Sequence, residues 1–125
     1  MTTRPLVLSH TPRTASPVPF GRQISPAHAK VIASIGAMIG VWPPVAVYKS
    51  LTAMATGMAR LVDVVGVDHV GLGSDMASIP NGSIFPKYDQ LPALAEALLG
   101  IGFNVADTSK LLGGDYARVF TATVT

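Results

Sequence analysis

Two residues with chemically versatile side chains stand at the ends of short apolar runs. His10 closes a run that begins at Pro5, and Asp75 closes a run that begins at His69. A neutral imidazole can bind a metal or transfer a proton, and a carboxylate can bind a metal, act as an acid or base, or hold an amine. Each also has a structural alternative, because a strand-end histidine can bond to nearby backbone and an aspartate can cap the following loop.

Two arginines, Arg13 and Arg22, lie in the segment after His10. An arginine beside an active-site opening suits bidentate capture of a carboxylate, and the alternative is a solvated loop charge. We interpret the other two histidines as structural or surface residues. His28 falls in the first turn of a predicted helix, and His69 starts its strand rather than ending it.

These residues need elements that bring strand ends together. Apolar runs of strand length cover residues 5–10, 37–42 and 69–75. Continuous apolar runs are typical of parallel strands buried on both faces. Their ends, at His10, Trp42 and Asp75, are 32 and 33 residues apart, which is the size of a βα unit with a crossover helix. At its strand end, Trp42 either lines a pocket or packs as an ordinary core aromatic.

Helical patterns fill the intervals between these runs. The segments with helical spacing are 26–35, 51–65, 91–98, 107–112 and 115–120. Ser25 before a proline predicts a helix start, Gly66 predicts a helix end, and Asp89 is a candidate cap for the third helix. The alternation β-α-β-α-β, followed by further helices, predicts an α/β fold with a parallel sheet and right-handed crossovers.

Composition excludes several classes of protein. The 125 residues are 49% hydrophobic and 13% charged, which excludes disorder of the whole chain. Without cysteine there is no disulfide, thiolate zinc site or cysteine nucleophile, and a net charge of +2 gives no argument for a nucleic-acid partner. Glycines and prolines interrupt the longest apolar stretch, so we expect no membrane span. The N-terminus lacks the apolar core of a signal peptide; the compartment stays open, with the cytoplasm as the default expectation.

Three blocks of the sequence carry a family resemblance. They are PLVLSHT at 5–11 with GRQIS at 21–25, VGVDHVGLGSD at 65–75, and KLLGGDYARVF at 110–120. In this order and spacing they resemble the C-terminal part of the membrane dipeptidase (renal dipeptidase) family of zinc metallopeptidases. The similarity extends over nearly the whole chain.

The resemblance implies a (β/α)8 barrel, called a TIM barrel, with two zinc ions at its C-terminal mouth and hydrolysis of dipeptides. Residues 1–125 would form a single partial domain that supplies strands six to eight of an incomplete barrel. By the same resemblance, His10 is a metal ligand, Arg22 binds the substrate carboxylate, and Asp75 acts at the reaction centre.

Other features of the family have no counterpart here. A His-X-Asp pair, a bridging glutamate and a second metal histidine are missing, and the single glutamate, Glu96, lies on a predicted helix. Residues 76–78 are Met-Ala-Ser where many members have Phe-Asp-Gly, and Asp115 replaces an asparagine after the glycine pair. We therefore expect a fragment that is inactive alone and that does not hold the zinc pair by itself.

A second interpretation is a non-catalytic half-barrel that self-associates or pairs with a partner subunit. Three strands with helices on one side would leave the other sheet face uncovered and both edges open, so inward-facing apolar residues would meet water. A third interpretation is another metal-dependent amidohydrolase on the same fold. The sequence does not distinguish substrates among these.

Overall fold

The computed structural model describes residues 4–11, 24–75, 79 and 82–125, with the backbone alone described for His10 and Thr11. The strands are β1 (Val7–Thr11), β2 (Met38–Val41) and β3 (Val70–Leu72). The helices are α1 (Pro26–Ser34), α2 (Leu51–Val65), α3 (Leu91–Gly100), α4 (Val105–Ser109) and α5 (Asp115–Val124). Short 3₁₀ turns cover Val67–His69 and Tyr88–Gln90, and a π-helical turn at Lys110–Gly114 joins α4 to α5.

The sheet is parallel, with β2 between β1 and β3. Ile39 of β2 pairs with Leu8 on one side and with Val70 on the other. Hydrogen bonding continues past the end of β3, because the Gly73 amide donates to the Val41 carbonyl at 2.9 Å. The predicted α/β architecture with a parallel sheet is confirmed.

The third strand is shorter than the predicted run 69–75. His69 belongs to the 3₁₀ turn before β3, and its Nδ1 lies 2.8 Å from the Ala37 carbonyl oxygen. The regular strand ends at Leu72, and the glycine-rich remainder of the run, which contributes no side-chain packing, keeps one hydrogen bond to β2 through Gly73. The structural role predicted for His69 agrees with this contact.

Local capping explains where most helices begin and end. The Ser25 hydroxyl accepts a hydrogen bond from the His28 amide, and Gly66, at φ +90°, ends α2. The prediction that Asp89 caps the third helix is wrong. Asp89 lies inside a 3₁₀ turn, and α3 starts after Gln90 without a side-chain cap, with a proline in its first turn. The helix predicted from residue 107 starts at 105, because the Asn104 side chain accepts from the amide of residue 107.

One face of the sheet forms the main core with the helices. The buried residues of this core on β2 and β3 are Ile39, Val41 and Val70, and α2 contributes Met54, Met58 and Leu61. Met54 and Met58 are fully buried. Their burial follows from the apolar stripe of α2, whose members recur every three or four residues.

On β2 and β3, the other sheet face consists of glycines and one methionine. Met38 is 1% exposed, and its Cε occupies the position that a Cβ on Gly71 would need. A Cβ on Gly40 would lie 3.2 Å from the Gly73 Cα, so the strands approach closely at this level. β2 is therefore buried on both faces, and the expectation that inward-facing apolar residues meet water is wrong for Met38.

Helix α5 crosses the amino ends of the strands. Arg118 donates to the carbonyls of Gly36 and Asp68, which precede β2 and β3, at 3.1 and 2.7 Å. Further along the helix, the Thr123 hydroxyl lies 3.4 Å from the Pro5 carbonyl, just before β1. The C-terminal helix is thereby tied to all three strands at the end away from their carboxyl termini.

Candidate active site at the carboxyl end of the sheet

The carboxyl ends of the strands lie side by side. Thr11 pairs with Val41, and Val41 pairs with Leu72. His10 is the residue before Thr11, and Asp75 follows three residues after the end of β3. The backbones of both sequence-predicted residues therefore lie at the same end of the sheet, which we call the mouth.

A β-bulge interrupts β1 directly before the mouth. Leu8 pairs with Ile39 and Thr11 with Val41, so β1 has one residue more than β2 across this interval. The extra residue falls at Ser9 or His10. Bulges of this kind change the direction in which adjacent side chains point and are common next to active sites. The side chain of His10 itself lies outside the described part of the structure.

Asp75 is held by a contact across the mouth. The indole N–H of Trp42, the first residue after β2, donates to the Asp75 Oδ2 with the heavy atoms 3.2 Å apart. Trp42 is buried and Asp75 is half-buried. Asp75 has φ +48°, and no other described residue except glycine has a positive φ. Sequence reasoning left open whether Trp42 packs or lines a pocket, and the hydrogen bond adds a role that spacing does not reveal.

Two loops at the mouth are joined to each other. Pro44, after β2, forms an isolated antiparallel bridge with Ser83, after β3. The Ile84 amide donates to the Pro43 carbonyl at 3.0 Å, and the Val45 amide donates to the Gly82 carbonyl at 3.2 Å. We call these paired residues, 43–45 and 82–84, the loop clasp. It joins the chain after β2 to the far end of the segment that begins at Asp75.

An open cavity of about 220 Å³ lies along the free side of β3. Its lining includes Gly71, Leu72 and Ser74 from β3 and the residues after it, and Leu112 and Tyr116 from the C-terminal segment. Ser74 places one end of this cavity next to Asp75. The cavity is large enough for a few atoms of a small ligand or for the side chains of another polypeptide.

Three predictions fall on residues that the structure leaves undescribed. Arg22 and Arg13, the candidate carboxylate ligands, lie outside the described residues, as does the Met-Ala-Ser segment at 76–78. The assignment of Arg22 to substrate binding therefore stays a prediction.

Most of the other charged contacts gather at the opposite end of the sheet. We name the residues that make them the basal cluster: Asp68, His69, Lys110, Asp115 and Arg118. The Lys110 Nζ lies 2.6 Å from the Asp68 Oδ1, and this hydrogen bond holds the pKa of Asp68 below its usual value. All these residues lie at or near the amino ends of β2 and β3, where they tie the C-terminal segment to the strands.

Asp115 has the most perturbed environment of this cluster. Its side chain is 3% exposed, and its Oδ2 has no hydrogen-bond partner among the described residues. Burial raises the pKa of Asp115 from 3.8 to about 6, against an opposing effect of the nearby Arg118. Sequence reasoning noted Asp115 only as a replacement for asparagine, and nothing local in the sequence signals its burial.

The described residues do not fit a two-metal centre by themselves. They contain no group of three or more histidine, aspartate or glutamate side chains close enough to hold a metal ion. The sequence has three histidines, of which His28 is exposed on α1 and His69 lies at the base, so His10 alone is at the mouth. Further ligands for a metal pair must come from outside this set of residues.

Among the described helices, none combines the length and apolar character that crossing a membrane requires.

Comparisons with known proteins agree with this architecture. Residues 1–125 match the family profile described as membrane dipeptidase (peptidase family M19). A search of the curated proteins found no match. Solved structures match over 95–97% of the chain.

Three of these structures show the fold and its extent. A metallopeptidase from Rhodobacter sphaeroides, solved with a phosphinate mimic of the dipeptide L-Ala-D-Ala, is 25% identical, with a TM-score of 0.80 and 36% of its chain covered. A probable dipeptidase and an amidohydrolase, both from Pseudomonas aeruginosa, are 18% and 19% identical, with TM-scores of 0.82 and 0.80 and 45% and 46% of their chains covered. The chain thus spans less than half of each of these structures.

Proposed function

This chain belongs to the membrane dipeptidase family (peptidase family M19), and from that premise we propose that it is the C-terminal part of a metal-dependent dipeptidase. In this proposal β1, β2 and β3 are strands six to eight of a (β/α)8 barrel, and residues 1–125 form one partial domain. The observation that carries the proposal is the juxtaposition at the mouth. The end of β1, with His10, lies beside the hydrogen-bonded Trp42 and Asp75. Active sites of such barrels lie at this end of the strands.

The residues of this chain have distinct roles in the proposal. His10 supplies one imidazole ligand for a metal. Asp75 is the acid–base group or the contact for the substrate amine, and Arg22 binds the free carboxylate of a dipeptide through its planar guanidinium. We propose zinc as the cofactor of the assembled protein. Because the described residues contain no group of three ligands that could hold a metal ion, no catalytic step through a metal is assigned to this chain.

The proposal predicts that the isolated chain does not hydrolyse dipeptides. Purified chain with added zinc should show no turnover of L-Ala-D-Ala above the zinc-only background. A chimera restores the missing ligands: the segment of the Rhodobacter metallopeptidase that matches this chain is replaced by residues 1–125. We expect that chimera to hydrolyse the dipeptide, because the host supplies the rest of the barrel.

Substitutions in the chimera test whether its activity depends on residues that this chain supplies. His10→Ala and Arg22→Met should each abolish or strongly reduce turnover, and Arg22→Met should act mainly by raising KM. His28→Ala, which removes an exposed imidazole from α1, is the matched control and should leave turnover unchanged. A folded chimera that is inactive, or whose turnover is unchanged by His10→Ala, would contradict the proposal. Turnover of other amides but not of dipeptides would instead favour an amidohydrolase.

A second candidate function is favoured by exposed apolar surface. Leu6 and Val7 on the β1 side are 47% and 40% exposed, and Tyr116 and Phe120 stack on each other on α5 while more than half exposed. Such surface is typical of an association site. In this alternative the chain is a non-catalytic half-barrel that pairs with itself or with a partner subunit. Sedimentation equilibrium separates the two: a discrete dimer supports the alternative, and a chain that stays monomeric supports the fragment.

A further inference from the structure

We infer that Trp42 is a positioning residue, which holds the Asp75 carboxylate in place at the mouth through its indole N–H. The inference rests on the proposed function only for the chemical role that it gives Asp75. The positional claim itself stands on geometry within this chain.

Asp75 needs such a restraint because its own backbone provides little. It follows β3 by three residues, in a Gly-Ser segment outside regular secondary structure. Its φ of +48° lies in the left-handed region, which is less favourable for an aspartate than right-handed backbone. A conformation of this kind persists only where surrounding contacts select it.

Trp42 is suited to be that contact because it is itself immobilised. Its side chain is 9% exposed, and it directly follows Val41, whose carbonyl accepts from the Gly73 amide. On its other side the chain enters the loop clasp at Pro43. A donor fixed in this way restricts the carboxylate that accepts from it, whereas a surface donor would move with its acceptor.

The bond also links two strands that are far apart in the sequence. Trp42 and Asp75 are 33 residues apart, and the indole reaches Oδ2 across the ends of β2 and β3. A fixed carboxylate matters for catalysis, because a misplacement of about 1 Å can cost 10²-fold in rate. We therefore expect Trp42 to influence turnover through the position of Asp75 rather than through contact with the substrate.

The chain contains a single tryptophan, which makes a selective test practical. Biosynthetic replacement of tryptophan by β-(3-benzothienyl)alanine changes position 42 alone and exchanges the indole N–H for sulfur at nearly constant size. Nitrogen-15 relaxation then reports the backbone order parameter of Asp75. We expect that parameter to fall from about 0.85 to below about 0.6 in the replaced protein. Tyr88→Phe, which alters an exposed aromatic ring, should leave it unchanged.

A reciprocal variant keeps the test decisive if the replaced protein does not fold. Asp75→Ala removes the acceptor and should shift the single indole N–H cross-peak, whereas Asp75→Asn retains an acceptor oxygen and should leave a protected indole. The inference is overturned if the Asp75 order parameter is unchanged in the replaced protein, or if the indole cross-peak does not shift in Asp75→Ala.

The kinetic arm uses the chimera described above. Trp42→Phe should lower kcat by about 10- to 100-fold and change KM less than twofold. The reason is that Asp75 would be displaced while Arg22 would still bind the substrate carboxylate. If the chimera with Trp42 intact is inactive, the proposed function fails while the relaxation data still decide the positional claim. If the chimera is active and Trp42→Phe matches it in kcat, the positioning role fails while the proposed function stands.

Discussion

The two ends of the sheet use polar side chains differently. At the base, the basal cluster makes short contacts to backbone and to itself, including Lys110 to Asp68 at 2.6 Å and Arg118 to two carbonyls. At the mouth, few of the described residues are charged, and Asp75 accepts a hydrogen bond from the neutral indole N–H of Trp42. Among the described residues, the charged cluster at the base therefore holds the C-terminal segment to the strands, while the mouth carries the candidate chemistry.

This difference shows that a cluster of titratable groups does not by itself mark a reaction centre. Among the described residues, the most perturbed pKa belongs to Asp115, a buried residue at the start of α5 whose charged neighbours include Arg118 and Asp68 of the basal cluster. Structural contacts can perturb a pKa as strongly as catalytic sites do. Position at the carboxyl ends of parallel strands is the better guide here.

The largest expected contrast comes from Asp75→Asn at the mouth. The substitution keeps a side chain that tolerates the left-handed backbone and can accept from Trp42, but it removes the ionisable oxygen. In the chimera we expect turnover to fall by about 10²- to 10⁴-fold with little change in melting temperature. Asp89→Asn, an exposed position, is the control. If the Asp75→Asn chimera turned over substrate as fast as the parent chimera, Asp75 would have no chemical role in the reaction.

At the base, Asp115→Asn should have the opposite profile and increase stability. The folded pKa of about 6 exceeds the ordinary 3.8, so the folded state binds the proton more tightly, and stability is lost as the pH rises through 6. Asparagine does not ionise, so we expect a gain of about 2 to 3 kcal/mol at pH 8 that vanishes below pH 4. Urea unfolding at several pH values measures it, with Asp63→Asn on the exposed face of α2 as control. A gain independent of pH would contradict the assignment to ionisation.

Arg118→Met tests whether the base ties α5 to the strands. The variant loses two hydrogen bonds from a charged donor to the carbonyls of Gly36 and Asp68. Because these bonds are solvent-exposed, we expect a loss of about 1 to 2 kcal/mol in unfolding free energy. Arg60→Met, on α2, removes an exposed guanidinium and should cost much less. Faster amide exchange confined to α5 would show that Arg118 holds this helix to the strands. Unchanged amide exchange in α5 would contradict that role for the base.

The smallest effect is expected from Lys110→Met. Its ion pair with Asp68 is short, but the two side chains are 43% and 60% exposed. Exposed pairs contribute at most about 1 kcal/mol and are screened by salt. We expect a difference from the parent protein of a few tenths of a kcal/mol in low salt that disappears in 1 M NaCl. A larger, salt-independent loss would show that Lys110 has a further structural role.

Much of the architecture could be predicted because its signals are local or periodic. The continuous apolar runs and their spacing predicted the parallel strands, and Ser25 and Gly66 predicted helix boundaries through side-chain capping and backbone geometry. The prediction that Asp89 caps α3 was wrong because a 3₁₀ turn and an early proline start this helix instead. Where several helix-start signals lie within a few residues, the sequence pattern alone does not show which of them begins the helix.

The finer features of the site depend on contacts between distant residues. The bond from Trp42 to Asp75 requires the register of β2 against β3, and the bulge before His10 requires the register of β1 against β2. The burial of Asp115 depends on a C-terminal segment that packs against β2 and β3. None of these has a signature in the local sequence. The assignment of Arg22 stays a prediction, to be tested in the chimera.

The loop clasp has a consequence for how ligand preference could diversify in this architecture. Because Asp75 accepts from Trp42 and residues 82–84 are paired with 43–45, the chain between Asp75 and Gly82 starts and finishes at anchored points. Lengthening a loop with fixed ends costs only a fraction of a kcal/mol per added residue. Insertions and substitutions in that span can therefore reshape what the opening admits while the strands beneath keep their alignment.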